Sequence, residues 1–279
     1  SHDVSVFAAE GFCCILDEDN NYIVEEQEAV ASISGTPYHT LEKAFANADN
    51  DATVTLLNDV SNVQKIQLNG GKAITLDLNG YDVGFANSQC FEIQNGKLDI
   101  TGEGTVKEED PYLGPVMLYG TTENVHDYSV LVVGEDVTLE GWAPVFIDYV
   151  DGANKADSGH GIVADIYGTL NSVEDTDGAG GHGVYIQGSL TSTEGAVPAI
   201  YIRDNAVITS KGNGMYLAGY AETTVSGNAS ITGDEAGIEI RAGKLTVQDE
   251  AAVTATSSPS ESNPNGNGST TSGAAIAIA

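Results

Sequence analysis

The feature that most constrains this chain is a repeat with spacings of 22 and 23. "NAVIT" begins at Asn205, "NASIT" at Asn228 and "EAAVT" at Glu250. "GMYL" at Gly214 returns as "GIEI" at Gly237, with the same spacing as the first of those steps. Gly-Lys-Leu recurs in "IQNGKLDI" and "IRAGKLTV", with "IYGTLNS" and "IQGSLTS" as close variants. The repeating pieces alternate apolar with polar residues and are punctuated by Gly, Asn or Asp. Alternation of period two describes strands, and pieces this short between breakers exclude helices of about 10 or more residues. One such unit cannot bury its apolar face alone, so the units must stack. The period therefore predicts a coiled sheet, each turn carrying about three strands of roughly 4–6 residues and pairing in parallel with the next at about 4.8 Å. From Ala52 onward the chain has room for about nine coils.

The period is not uniform. The step from "GVYI" at Gly183 to "AIYI" at Ala199 is shorter than the repeat, and so is the next step, to "GMYL" at Gly214. Either one coil is unusually wide, running from Gly183 to Gly214, or a coil has lost a strand. Towards the end "SSPSESNPNGNGSTTSG" breaks the pattern with a composition that reads as a mobile loop, about 257–273. "AAIAIA" then resumes the strand pattern, which is expected to continue in a longer multidomain chain.

Charge narrows the partners. Lys and Arg number 10 against 41 Asp and Glu, a formal net charge of −31. Such a field repels phosphate backbones and anionic membrane surfaces, so nucleic acid is not an expected partner. Disorder is excluded by the 41% hydrophobic content and its regular spacing. No apolar run is long enough to span a bilayer, and "SHDVSV" lacks the basic start and apolar stretch of a signal peptide. Cys13, Cys14 and Cys90 form neither a disulfide framework nor a zinc set. Adjacent Cys13 and Cys14 read as two small residues on opposite faces of a strand.

Two Gly-His-Gly tripeptides, around His160 and His182, invite a catalytic reading. Their separation matches the repeat, which predicts one column on neighbouring coils, continued by Asn213 and Ala236. They are read as repeat positions, not as an acid–base pair.

Residues 1–36 read as a small β-hairpin or linker domain, ahead of a coiled-sheet domain over 37–279. "GFCCILDEDNNYIVEE" suggests two strands around an acidic turn; it lacks the central glycine and the placed Glu of an EF-hand. In "TPYHTLEKAFANADND", Thr40 is a candidate N-cap, with Leu41, Ala44, Phe45 and Ala48 on one helical face. A coiled sheet has an open edge that must be covered, and this helix is placed to cover it.

Aligning "VYI" at Val184, "IYI" at Ile200, "MYL" at Met215 and "IEI" at Ile238 turns the aliphatic residues inward. Tyr185, Tyr201, Tyr216 and Glu239 then face outward, with Gln187, Arg203, Ala218 and Arg241 one step on. Spaced rings with hydrogen-bonding neighbours suit a sugar chain, whose apolar faces pack on aromatics. The expected ligand-binding set is Tyr185, Tyr201, Tyr216, Arg203, Glu239 and Arg241, and the two arginines favour an anionic sugar. The competing reading is that stacked tyrosines brace neighbouring strands, at roughly 0.2–1 kcal/mol per pair. Trp142 is a second candidate, against a packing role. Glu174, Asp175 and Asp177 read as a solvated turn in preference to a Ca²⁺ site.

"GTPYHTLEKAFANADNDATVTLLNDV", followed by "KAITLDLNGYDV" and "GKLDITGEGTV", resembles the opening of right-handed parallel β-helix modules of large cell-surface repeat proteins of Gram-positive gut bacteria. In that family a small β-domain with a motif like "VFAAEGF…YIVEE" separates modules. The resemblance covers residues 3 to about 257, and is specific in the "TLEKAF…VTLL…ITLDLNG" stretch. It implies an all-β, right-handed, single-stranded parallel β-helix of the pectate-lyase-like kind, at the cell surface or cell wall. Polygalacturonase-like enzymes of similar fold carry an Asp-Asp pair, Gly-His-Gly and Arg-x-Lys. Here no adjacent aspartates exist, and the arginines stand in "IRDN" and "IRAGK". Fold does not confer the chemistry. The expected function is that of a non-catalytic adhesin module for host or dietary glycans or a host surface protein, with no cofactor and no metal. A polysaccharide lyase or glycoside hydrolase, or a structural stalk, are the rivals.

Overall fold

The computed structural model describes residues 12–16, 22–110, 112–120, 128–148, 161–187, 198–259 and 272–278. Its body is a parallel β-helix with three long sheets. The first coil contributes Ala52–Leu56 to the first sheet, Val60–Val63 to the second and Ile66–Leu68 to the third. Each later coil repeats that order, ending with Lys244–Val247, Ala252–Ala255 and Ala274–Ile278. Every strand pairs in parallel with its counterpart one coil on. Crossovers between parallel strands are right-handed as a rule, which gives the coil its expected hand.

Eight such coils form among the described residues, not nine, because three coils are long. Val54 pairs with Leu76 and Ile74 with Leu98, offsets of 22 and 24. Leu98 then pairs with Leu131, Leu131 with Ala164, and Ala164 with Ile200, offsets of 33, 33 and 36. Ile200 with Thr223 and Thr223 with Leu245 return to 23 and 22. Most of the extra chain enters where the third sheet passes to the first, after Tyr119, after Asp148 and after Ile186. Two of these coils also lengthen the passage from the second sheet to the third, between Lys107 and Val116 and between Ser172 and His182.

Alternation explains the packing. Val54, Leu76, Ile100, Val133, Ile166, Ile202 and Val225 stack in one inward column, each with no exposed surface. Burying each such side chain contributes about 1.5–3 kcal/mol. The columns fuse into one continuous core.

The N-terminal end is closed as the sequence suggested. Residues Leu41–Asn47 form a helix whose N-cap, Thr40, accepts a bond from the Lys43 amide at 3.2 Å. Leu41, Ala44, Phe45 and Ala48 join the core, and the Phe45 ring lies 5.4 Å from that of Phe91 in the second coil. Beside the helix, Ala31–Ile33 runs antiparallel to both Ala52–Leu56 and Thr36–Tyr38, carrying the first sheet back across the expected boundary at residue 36. Further upstream Phe12–Leu16, which holds Cys13 and Cys14, pairs antiparallel with Tyr22–Glu26. The acidic turn between them, and residues 260–271 of the expected mobile loop, lie outside the described residues. Cys90 is buried with a free thiol, and burial together with Glu92 pushes its pKa up to about 12.

Candidate functional site

The two Gly-His-Gly tripeptides enter different sheets, which corrects their assignment to one column. The strand after the first, Ile162–Ile166, belongs to the first sheet; the strand that begins at His182 belongs to the third. His160 itself lies outside the described residues. The remainder of the column is as read: His182 pairs with Asn213, and Asn213 with Ala236. Both flanking glycines have a steric reason. A Cβ on Gly181 would meet the Trp142 carbonyl, and one on Gly183 would meet the Ile208 side chain and the Gly214 carbonyl. Gly214 and Gly237 continue this crowded column against Ile231 and Val253. A Cβ on Gly183 would point at the core residue Ile208, and the His182 ring lies among outer-face aromatics.

The strand alignment at Val184, Met215 and Ile238 is observed: each pairs with the next, at offsets of 31 and then 23. One coil is therefore unusually wide. Ile200 does not belong to this series; it pairs with Ala164 and Thr223 in the first sheet. Tyr201 and Arg203 are thereby separated from Tyr185 and Tyr216, because the two short steps around "AIYI" run from strand to strand within a coil and do not complete a turn. The tyrosine ladder across three coils exists, but its members are Phe146, Tyr185 and Tyr216.

These rings anchor a larger patch on the outside of the third sheet. Phe146 and Tyr185 have ring centroids 4.8 Å apart, and Tyr185 and Tyr216 are 5.5 Å apart. His182 is stacked on Tyr185 at 5.5 Å and lies 5.1 Å from Tyr216. Trp142, in the turn that enters the third sheet, reaches His182 at 5.2 Å and Tyr185 at 6.1 Å. Tyr112, from the equivalent turn one coil earlier, stands 6.5 Å from Trp142. Exposure is graded: Tyr112 is 52% exposed, Trp142, Phe146 and Tyr185 are half-buried, and Tyr216 and His182 are 7% and 3% exposed. Glu239, next in the ladder, has no exposed surface. Tyr216 and Glu239 thus project from the sheet without reaching solvent, contrary to the sequence expectation.

The electrostatics of the patch follow from that enclosure. Burial pulls the His182 imidazole down to about 3, against a hydrogen bond with the Asn213 backbone. The ring is neutral at physiological pH. Burial also raises the Tyr185 hydroxyl, helped by Tyr216 and Asp148 and opposed by Arg241. Tyr185 donates to Gln187 Oε1 at 3.2 Å, and Arg241 Nη1 donates to the Tyr216 hydroxyl at 3.3 Å. His182 Nδ1 and Trp142 Nε1 are buried and find no hydrogen-bond partner among the described residues.

The other arginine has a different setting. On the first sheet, Arg203 Nε binds Asp165 Oδ1 at 2.5 Å, and its guanidinium lies 4.2 Å over the Tyr201 ring. Tyr167 donates to the other Asp165 oxygen at 3.3 Å. Tyr201 and Arg203 therefore belong to a closed four-residue cluster of their own.

The acidic turn at Glu174–Asp177 is used by the backbone: Asp175 Oδ1 accepts from the amides of Asp177 and Ala179, both at 2.8 Å, and Glu174 bridges to Gly180. Among the described residues no three His, Cys, Asp or Glu side chains converge on a point where they would hold a metal ion. No described helix is long and apolar enough to cross a membrane.

Phe146, His182 and Tyr112 were missed as members of the patch. The signal for Phe146 was present: Pro115-Val116-Met117 and Pro144-Val145-Phe146 repeat one coil apart, and Met117 pairs with Phe146. Comparison with protein-family models, with curated proteins and with solved structures finds no match to this chain.

Proposed function

We propose that this chain is a non-catalytic binding module of a bacterial surface protein, built on a pectate-lyase-like β-helix, and that it holds an extended glycan against the third sheet. The supporting observation is the row Phe146–Tyr185–Tyr216, with Trp142 and Tyr112 beside it, whose rings are spaced at about the strand repeat. Sugar rings offer apolar faces to aromatic side chains, and rings set in a row suit a chain more than a small molecule. The bacterial surface setting rests on the resemblance of the "TLEKAF…VTLL…ITLDLNG" stretch. A single module binds weakly, and copies arrayed on a cell supply avidity.

The enzyme reading draws no support from the residues that suggested it. His182 is enclosed by rings and titrates far below neutrality, and Arg203 is bound to Asp165. General acid–base chemistry needs a group that titrates near the working pH and reaches substrate. The stalk reading is favoured by one observation, the ring-to-ring contacts themselves, which brace successive coils with or without a ligand.

The test is a glycan array run with the module and with a Phe146→Ser/Tyr185→Ser variant whose fold is checked by circular dichroism, beside a polyuronate-cleavage assay. Binding that is lost in the variant, without cleavage, supports the module reading. Binding that survives in the variant moves the site elsewhere, cleavage restores the enzyme, and no binding by either protein leaves the stalk.

A further inference from the structure

A chain of hydrogen bonds links a buried carboxyl group to the edge of the ring patch. Glu108 stands where the third coil leaves its second-sheet strand, and it is only 2% exposed. Its amide donates to the Glu140 carbonyl of the fourth coil at 3.1 Å. Its carboxyl group accepts from the Ser88 amide of the second coil at 3.0 Å and from the Asp110 amide at 2.6 Å. Ser88 holds a second acid as well, since its hydroxyl donates to Asp110 Oδ2 at 2.5 Å. Asp110 Oδ1 in turn accepts from the Tyr112 amide at 2.9 Å. The Tyr112 ring stands 6.5 Å from that of Trp142, in the equivalent corner one coil on.

Two acidic side chains thus share one serine, and among the described residues neither bonds a cation. The lysines of these coils are committed elsewhere: Lys107 pairs with Glu109 at 3.3 Å and Lys65 with Glu92 at 3.2 Å. Glu108 faces Glu109 and Asp110 from its own segment. From the second coil it faces the buried Cys90 thiol, with Glu92 beyond it, and from the fourth the Glu140 backbone. None of these groups offsets a negative charge. Enclosure and the neighbouring acids oppose ionisation, the two amide bonds favour it, and the balance pushes the Glu108 carboxyl up to about 7.

We infer that Glu108 is a proton-operated latch on this corner: neutral, it lets the corner close and seats Tyr112 beside Trp142; ionised, it repels Asp110 and releases Tyr112 from the patch. The segment joins the strands Gly104–Lys107 and Val116–Tyr119, so it opens while the ladders on either side stay paired. The sign follows from linkage. A carboxyl raised in the folded state contributes stability that is whole below its ordinary 4.5 and is lost as pH rises through 7. Tyr112, at 52%, is the most exposed ring of the patch, and the latch adds or removes it with pH. The inference does not depend on what the rings bind.

Trp142 is the chain's one tryptophan, so its fluorescence reads the Tyr112 contact. A titration from about pH 5.5 to about 8.5 should show one reversible step with its midpoint at about 7, well clear of His182 at about 3. Glu108→Gln accepts the same amide bonds and does not ionise, and should abolish the step. Asp110→Asn removes the repelling charge and should move the midpoint down. Tyr112→Leu, at an exposed position, should abolish the fluorescence step while a carbon-13 titration still finds the Glu108 carboxyl at about 7. No step in the unaltered chain, or a step that survives in Glu108→Gln or Tyr112→Leu, would overturn the latch. Should Glu108→Gln not fold by circular dichroism, the carbon-13 titration of the unaltered chain decides, and a Glu108 carboxyl titrating near its ordinary value would overturn the latch equally.

Discussion

The first and third sheets carry the same ingredients on their outer faces and use them in opposite ways. On the first, Tyr201 and Tyr167 flank an arginine that is bound to Asp165 and lies on a tyrosine ring. Both Asp165 oxygens are engaged, one by Arg203 and the other by Tyr167, so the charges of the cluster are set against each other. On the third, six aromatic rings, including a neutral imidazole, touch one another with no cation among the accessible ones, and two buried ring nitrogens have no partner among the described residues. The contrast teaches that residue type does not identify a binding face. Tyrosine and arginine in "YIR" make a lock on one sheet, while tyrosine in "VYI" joins a row of rings on the other. Sheet membership, decided by whether a single strand step or a whole turn separates two motifs, settles which role each residue takes.

That contrast can be broken first through pH. His182 has a folded pKa of about 3 against an ordinary value of 6.5, so below 6.5 the unfolded chain takes up a proton that the folded chain refuses. Stability contributed by the neutral ring is whole above pH 6.5 and is lost as pH falls towards 3, by something on the order of 4 kcal/mol. Glu108 acts in the opposite sense. It is 2% exposed, and burial raises its pKa to about 7 even though it accepts from the amides of Ser88 and Asp110. Its contribution is whole below its ordinary 4.5 and lost as pH rises through 7. Urea unfolding of Glu108→Gln at several pH values should therefore show the His182 slope alone, and a further His182→Leu change should flatten it. A slope that persists after the second change would place the titrating group outside the aromatic patch.

The crowded glycine column of the third sheet is the next lever. Gly183→Val should cost about 3 kcal/mol by forcing a side chain onto Ile208 and the Gly214 backbone, read as a lower urea midpoint. An unchanged midpoint would show that steric exclusion does not require glycine at this position. The two arginines provide the finer comparison. Asp165→Ala should cost about 1 kcal/mol, a modest figure because both partners remain partly exposed to solvent. Arg241→Gln should stay within about 0.5 kcal/mol, since Arg241 is exposed and its bond there is a single one to a tyrosine hydroxyl. Equal losses in the two variants would erase the distinction between the arginines of the two sheets.

The fold was legible because it follows from a period, and periods survive in sequence. "NAVIT", "NASIT" and "EAAVT" do stack, Ile208 on Ile231 on Val253, and Thr40 does cap the helix over Leu41–Asn47. The site was legible only in part. Tyr185 and Tyr216 were placed side by side, but Tyr201 was drawn in by sharing "YI" with them, although its strand lies between theirs in the chain and belongs to the first sheet. The period could not resolve this, because each of the three strands in a coil has the same alternation and a similar length. Phe146 was lost for the converse reason: the long coils, with Leu131 on Ala164 and Ala164 on Ile200, broke the count just where the patch is built. "IYGTLNS" likewise falls in the second sheet, although it matches Gly-Lys-Leu segments of the first.

The corner after the third sheet absorbs most of that extra length, and neighbouring strands keep their register through it: Val130 on Val163 and Leu131 on Ala164, as strictly as Ile200 on Thr223 in the short coils. Chain length at this corner is thus decoupled from the architecture. The entropic cost of a longer closed segment grows only slowly with its length. In evolutionary terms the corner is a site of free variation beside a fixed frame, where segments can be lengthened, shortened or exchanged among relatives without re-deriving the rod. In engineering terms it is an insertion port with three adjacent sockets, a few ångströms apart along the axis, for grafting foreign peptides in parallel.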